Sequence, residues 1–537
     1  VQTEFDYIIV GAGSAGSVLA DRLSADSRNR VLVLEAGGSD HRFYVQMPLG
    51  YGKTFYDRRV NWMYEAESDP GLNGQRDFYP RGKLLGGSSS INAMVYIRGH
   101  RDDYEDWKAA GNTGWGWDDV LPVYRAMEDY GAGDPELRGR GGPVFISDLA
   151  DQAHSLCRPF IEASKAAGLA YTPDFNGISQ EGVGLYQFTI KNGRRLSAAR
   201  AFLHPAMRRH NLLVETHAHT TRVLFEGKRA VGVEYTKNGK PLKVRAREVI
   251  VAGGAINSPQ LLQLSGIGPG ALLQSLGIPV LHDNPNVGSR MQDHHGINYT
   301  WRMKVPTLND ELRPWWGKLR AGLQYLLFRK GPLALSINQG GGFFRTSPDL
   351  PRPNMQLYMQ AFSTLIPRPG ERPILNPDPF SGLSLGLSNC RPTSSGSVMI
   401  KSPDPFTHPK IIFNAFSTQS DVEEMLSAVK FLRVIASQEP MKSLMDEELR
   451  PGPVVTSDDD LINDFRQRSG TVYHHSCTCR MGSDPRQSVV DTNLRVHGFE
   501  GLRVCDASVF PNLIAGNTNA PSMMMGWRGA DIILSKA

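Results

Sequence analysis

The first apolar run, Tyr7-Ile8-Ile9-Val10, is short, continuous and rich in β-branched residues, and Val31-Leu32-Val33-Leu34 repeats the pattern. Such runs predict strands buried on both faces, as in a parallel sheet. Between them, Ser17-Val18-Leu19-Ala20-Asp21-Arg22-Leu23 carries apolar residues at helical spacing. Four further strands are predicted at 212–216, 221–225, 230–235 and 248–252, with Gly227-Lys228 as a hairpin turn. Amphipathic spacing predicts short helices within 102–128 and a helix over 155–167. Ser258-Pro259 reads as a helix start and Gly266 as its stop. The Gly-rich polar stretch 131–142 reads as a boundary. Residues 305–453 differ in character. They are rich in aromatics, Pro and Met, with strand-like runs at 355–359 and 396–401, and they predict a second, mostly antiparallel domain.

The turn between the first strand and helix is Gly11-Ala12-Gly13-Ser14-Ala15-Gly16. Its spacing gains meaning from the strand before it and the helix after it. Gly11 permits the tight turn, Gly13 lets the backbone approach a pyrophosphate, and Gly16 lets helix and strand pack closely. The helix N-terminus offers free N–H groups to phosphate. Glu35 ends the second strand, where an acidic residue binds the adenosine ribose. An adenine dinucleotide is the predicted ligand.

The 537 residues exceed a single core, so more than one domain is expected. A net charge of +5, without a basic run, argues against nucleic-acid binding. No apolar run has the length of a membrane span, and the start does not read as a signal peptide. A cytoplasmic location is expected, with a trimmed leader left open. The five cysteines are too few and too scattered for a disulfide scaffold and read as small apolar groups.

Arg81 to Gly99 includes Gly86-Gly87-Ser88-Ser89-Ser90, a loop dense in small donors suited to a flat polar ring or to phosphate. The last segment holds Thr471-Val472-Tyr473-His474-His475, a strand ending at Asp506-Ala507, and Gly516-Asn517-Thr518-Asn519-Ala520-Pro521 leading into a helix. Adjacent histidines seldom ligate one ion, so neither His474-His475 nor Asp293-His294-His295 is expected to bind a metal.

With these stretches together, the chain resembles the glucose–methanol–choline (GMC) flavoprotein oxidoreductases nearly end to end, in particular bacterial choline-dehydrogenase-like and aryl- or furfuryl-alcohol-oxidase-like members. Both family signatures are present, at 82–99 and 254–268. The resemblance implies a Rossmann-like α/β FAD-binding domain assembled from separated segments (1–150, 190–304 and 461–537). It also implies an α+β substrate domain on a mostly antiparallel sheet (151–189 and 305–460). Gly11, Gly13, Gly16 and Glu35 would hold the ADP half of FAD, and Val223 would pair with adenine through its backbone. Gly87, Ser88, Asn92, Ala93 and Met94 would line the isoalloxazine, and Asp506 and Ala507 the ribitol and pyrophosphate. Ser14, Ala15, Ala36, Trp62, Val95, Ala252, Tyr473, Asn517 and Thr518 complete the expected cofactor contacts. Some relatives tether the flavin through a His directly before the position of Asn92. Ile91 stands there in this chain, so non-covalent FAD is expected.

His474 corresponds to the family's catalytic histidine and Asn517 to its second His-or-Asn position. A neutral imidazole can take the hydroxyl proton of an alcohol, and an amide can bind the oxygen, while hydride passes to flavin N5. His475 replaces a usual Pro. Gln339 is aligned where choline-specific relatives place a glutamate, which favours an uncharged, aromatic alcohol over choline. The acceptor is O2 or a quinone, and the lack of a membrane anchor favours O2. A quinone-linked choline-like dehydrogenase, a hydroxynitrile lyase on the same fold and a nicotinamide-dependent dehydrogenase stay open, as does the oligomeric state.

Overall fold

The opening apolar run forms the strand Glu4–Val10, buried from Tyr7 onward, because no position in it faces solvent at the sheet centre. It pairs in parallel with Val31–Leu34 on one side and Lys240–Val251 on the other. Leu212–Glu215 extends the set beyond Val31–Leu34, and Leu502–Val504 pairs in parallel with Val249, Ile250 and Val251. The first half of Lys240–Val251 continues antiparallel into Arg229–Lys237 and Ala218–Glu226. The computed structural model describes residues 4–148, 150–364 and 377–535. The segment 365–376, assigned above to the second domain, lies outside these residues.

Register decides where the chemistry sits. Val10 pairs with Leu34 and with Val251, and Val251 pairs with Val504. The parallel strands therefore end on one line, and Gly11, Glu35, Ala252 and Asp506 follow along the same carboxyl edge. Ligands of open α/β sheets bind at that edge. The helix Ser14–Leu23 packs on the sheet and against the C-terminal helix Asn519–Leu534. A Cβ on Gly526 would lie 2.5 Å from the Ala15 carbonyl oxygen, so the two helices touch at a glycine.

The helix predicted to start at Ser258-Pro259 starts earlier, at Gly254, and runs to Leu264. Pro259 is therefore internal and leaves the Ala255 carbonyl without its helical donor. The Thr478 hydroxyl supplies a bond to it at 2.7 Å. Ser258 is no cap. Its hydroxyl donates to Asp506 at 2.6 Å. Residues 131–142 are stitched to the body rather than loose. Arg138, 3% exposed, pairs with Glu128 at 2.9 Å and with Asp174 at 2.7 Å.

A second sheet is antiparallel throughout, in the order Met445–Arg450, His295–Met303, Gly382–Asn389, Met355–Gln360, Asn338–Phe344, Gly182–Leu185. Its core packs under the helices Cys157–Ala166 and Gln419–Ala436. One short strand ties the two halves together. Gly470–Thr471 pairs with His295 and Gly296, just ahead of His474. All five cysteines are free and buried, consistent with small apolar groups.

Candidate active site

The carboxyl edge of the first sheet opens onto a cavity of about 930 Å³. The glycine turn forms one wall. Gly11 has φ +104°, and a Cβ there would lie 2.6 Å from the Ala252 carbonyl oxygen, so only glycine makes this turn. Gly13 borders the cavity, and the space beside its Cα is open. The helix after it has no side-chain cap. The first-turn N–H groups of Ser14, Ala15 and Gly16 thus lack helical partners at the positive end of the helix dipole, a ready anion site.

Glu35 closes the next strand. Its Oε2 accepts the Ala12 N–H at 2.9 Å and its Oε1 the Gly37 N–H at 2.8 Å. One lone pair on each oxygen remains for ligand hydroxyls. Burial pushes this carboxyl up to about 7, so donors from a bound ribose would favour its charged form.

Opposite, the Gly86 N–H donates to the Ala12 carbonyl at 2.7 Å. A Cβ on Gly87 would lie 2.8 Å from Gly13 Cα, so the two glycine loops close on each other. Asn92 Oδ1 accepts from the buried Arg195 guanidinium at 2.7 Å and from the Met94 N–H at 3.1 Å. Asp506 braces the third wall, accepting Gly254 N–H and Ser508 N–H, each at 2.8 Å.

His474 lies in the same cavity, held by a directional chain of hydrogen bonds. His294 Nε2 lies 2.9 Å from the Cys390 carbonyl oxygen, which can only accept, so Nε2 carries the proton. Burial holds His294 down at about 3. It is therefore neutral, and its Nδ1 is an acceptor. His474 Nδ1, 2.9 Å away, must donate to it. Burial first, then His294 and Arg81, keep His474 well below the ordinary imidazole value. A neutral ring with Nδ1–H has a lone pair on Nε2. That atom lies 3.1 Å from Asn517 Nδ2. Gln356 Nε2 donates to Asn517 Oδ1 at 3.2 Å, which keeps the amide N–H2 turned to His474. The array presents one basic nitrogen and one neutral donor side by side.

The loop bearing His474 is fixed from behind. Asp293 Oδ1 accepts the His474 N–H at 2.7 Å, and Oδ2 accepts the Thr471 hydroxyl. Tyr473 has φ +71°, an uncommon conformation for an aromatic residue. Its carbonyl accepts from Arg81 at 3.0 Å and its ring packs edge-on against Phe55. His475, which also borders the cavity, packs against Tyr79 with ring centroids 4.1 Å apart and the planes tilted by 59°. Its Nε2 is 3.3 Å from Asp293 Oδ2 but poorly aimed for a hydrogen bond. The adjacent histidines therefore face different partners.

Of the predicted cofactor residues, Gly11, Gly13, Ser14, Ala15, Glu35, Ala36, Trp62, Gly87, Ser88, Asn92, Ala93, Met94, Val95, Ala252, Tyr473, Asp506, Ala507, Asn517 and Thr518 line the cavity. Gly16 stands behind it, where a Cβ would lie 1.9 Å from the Gly11 carbonyl oxygen. Val223 is a correction. It is 1% exposed in the core, and its N–H donates to Ser265 Oγ at 2.9 Å. A bulge between Thr220 and Arg222 shifts the strand, and Ala218, His219 and Thr220 reach the cavity instead. Thr220 Oγ1 is buried there without a partner, a free polar atom in the cavity wall.

Gln339 is a second correction. Its Oε1 accepts the His154 N–H at 2.7 Å and its Nε2 donates to the Ser336 carbonyl at 3.0 Å. Both ends of its amide are taken up by protein groups, and its neighbour Asn338 lines the cavity. Sequence reasoning missed His294, Gln356, Arg81 and Thr220. His294 had one signal, its place in Asp293-His294-His295, but that pattern was weighed only as a metal site and set aside. Gln356 had none, because only strand pairing puts it behind Asn517.

Matches described as GMC oxidoreductase span residues 5–296 and 392–526. The chain is 42% identical to an alcohol dehydrogenase [acceptor] of Pseudomonas putida, covering 99% of this chain and 96% of that one. It is also 42% identical to the mitochondrial choline dehydrogenase of Homo sapiens, over 99% and 90% of the two chains. The fold superposes on formate oxidase of Aspergillus oryzae RIB40, studied for its FAD modification, with a TM-score of 0.92 at 27% identity. That match covers 100% of this chain and 99% of the other. The uncapped helix, the open Gly13, the free lone pairs of Glu35 and the unpartnered Thr220 all fit an adenine dinucleotide, and the chain belongs to the GMC oxidoreductases, FAD-dependent enzymes acting on CH–OH donors.

Proposed function

We propose that the protein oxidises an uncharged primary alcohol, with an aromatic alcohol as the preferred class, to the aldehyde, with His474 as the base and Asn517 as the oxygen-binding donor. One observation carries the reading. The hydrogen-bond chain from the Cys390 carbonyl leaves His474 Nε2 unprotonated beside Asn517 Nδ2. When bound, FAD supplies the hydride acceptor at N5 of its isoalloxazine. His474 Nε2 takes the hydroxyl proton, and Asn517 donates to the oxygen as its charge grows. Gly11, Gly13, the helix end at Ser14 and Glu35 would hold the ADP half. Gly87, Ser88, Asn92, Ala93 and Met94 would face the flavin. We assign cofactor binding to 1–150, 190–304 and 461–537, and substrate binding to 151–189 and 305–460, with the strand His295–Met303 joining the latter because it pairs there.

The three carboxylates lining the cavity among the described residues are Glu35, Asp77 and Asp506. Each accepts backbone N–H bonds. None stands unpaired against the wall of Tyr51, Phe55, Tyr358 and Phe362, which supports an uncharged substrate, since a buried unpaired cation is costly. A benzylic alcohol should exceed choline in kcat/KM by about tenfold or more, and a large preference for choline would refute the assignment. Mixed anaerobically with the benzylic alcohol, the enzyme should lose its yellow colour. A hydroxynitrile lyase would stay yellow. The acceptor is O2 or a quinone, which reoxidation of the bleached enzyme by each will distinguish.

The pH profile follows from the same geometry. Protonated His474 cannot act as base, and burial lowers its proton affinity. The kcat/KM profile should therefore be flat above about pH 6.5 and fall only in more acid solution. An acid limb centred above neutrality would show another group to be the base.

Ile91 lines the cavity and has no nucleophilic atom. Acid precipitation should leave a colourless pellet and a yellow supernatant. Colour retained on the pellet would reveal a covalent link.

A further inference from the structure

One helix wears its amphipathic pattern inside out. Trp315–Phe328 buries Gly317, Ala321 and Tyr325 against the body of the protein. Its large side chains face the other way. At 100° per residue, Trp315, Leu326, Leu319, Leu323, Trp316 and Leu327 fill one arc of about 120°. They are 49% to 76% exposed. An ordinary surface helix turns such a stripe inward, and exposed apolar groups gathered this densely mark an interaction face. Phe43, 50% exposed, packs edge-on against Tyr325 and extends the patch.

Charge identifies the occupant. Residues 312–348 contain no Asp or Glu and include Arg313, Lys318, Arg320, Arg329 and Lys330. Lys318 and Arg320 are exposed and flank the apolar arc on its two sides. Two copies of this face placed together would oppose like charges. A bilayer with anionic headgroups satisfies both parts, the stripe by its acyl boundary and the rim by its phosphates. Adjacent tryptophans are the residues favoured at headgroup depth. The helix is too short to span, at about 21 Å, and no described helix is long and apolar enough to cross a membrane.

We propose that Trp315–Phe328 seats the enzyme on the surface of an anionic phospholipid membrane. The assignment is independent of the reading of His474, because binding is measured without turnover.

The test uses FAD-loaded enzyme sedimented with vesicles of phosphatidylcholine alone or mixed with phosphatidylglycerol. The wild type should pellet with the anionic vesicles, less with the neutral ones, and be partly released by salt. Leu319→Glu/Leu323→Glu and Lys318→Glu/Arg320→Glu should each weaken partition by about tenfold or more. Both should keep their flavin and their turnover with a soluble acceptor. Should the leucine variant fail to fold, fluorescence decides. Brominated acyl chains should quench the wild type, and Trp315→Phe/Trp316→Phe should remove that quenching.

Wild type remaining in the supernatant with anionic vesicles would overturn the proposal. So would variants that bind unchanged. A wild-type dimer that the leucine variant converts to monomer would assign the face to a second copy, and salt-labile binding to an acidic protein without binding to vesicles would assign it to a protein partner.

Discussion

Alanine at His474 is expected to slow reduction of bound FAD by alcohol about 10²–10⁴-fold, with flavin content unchanged. The imidazole is the cavity group whose Nε2 is held unprotonated by hydrogen bonds on its far side. Its removal leaves water as the base, while the wall of Gly11, Gly13 and Glu35, proposed to hold the ADP half, is untouched. Rapid anaerobic mixing measures the step directly. Two companions divide the role. Asn517→Ala removes the donor to the oxygen and should cost about 10²-fold, without moving the acid limb. His294→Phe removes the acceptor for His474 Nδ1–H and frees the ring to carry its proton on Nε2 instead. That variant should lose rate, and the loss should appear in kcat more than in KM. Full activity in His474→Ala would refute the mechanism, and full activity in His294→Phe would refute the tautomer argument.

A pair of glycine substitutions should separate folding from cofactor binding. Gly16→Ala places a Cβ 1.9 Å from the Gly11 carbonyl oxygen. The oxygen belongs to backbone and the Cβ is fixed rigidly by it, in a packed strand–turn–helix unit, so neither can rotate away. The helix Ser14–Leu23 must shift, at a cost of about 1–3 kcal/mol or more, and FAD should be lost with it. Gly13→Val differs in kind. Its side chain meets no protein atom on leaving the backbone and enters the space a pyrophosphate would use. The apoprotein should melt as the wild type does, while FAD retention falls about tenfold or more. Thermal melts with and without added FAD, together with the flavin-to-protein absorbance ratio, check both. A Gly13→Val protein that purifies fully yellow would show that the cofactor does not approach this turn.

The sequence was most legible where a local pattern has one physical solution. Tyr7-Ile8-Ile9-Val10 before Gly11, Gly13 and Gly16 can hardly be anything but a buried strand entering a tight turn, and the structure has that turn. It was least legible where a residue's role depends on a partner far along the chain. Ser258-Pro259 has the composition of a helix start. Its interior place became possible only because Thr478, more than two hundred residues later, satisfies the Ala255 carbonyl that the proline abandons. Gln339 resembled a pocket residue by position along the chain, but strand alternation and the His154 N–H turned it away. Val223 missed the cavity because a bulge shifts its strand, and a bulge leaves no mark in the residue types.

The family resemblance supplied the pairing of His474 with Asn517 as candidate chemistry. The amino-acid order alone determined the dinucleotide turn, the acidic residue that follows it and the two chemically distinct blocks of the chain. These are short-range matters, set by backbone freedom at glycine and by apolar periodicity. Tertiary structure alone decided which nitrogen of His474 is basic. That choice rests on His295 and Gly296 pairing with Thr471 and Gly470, which sets His294 beside His474, and on a backbone carbonyl at Cys390 that can accept a hydrogen bond but never donate one.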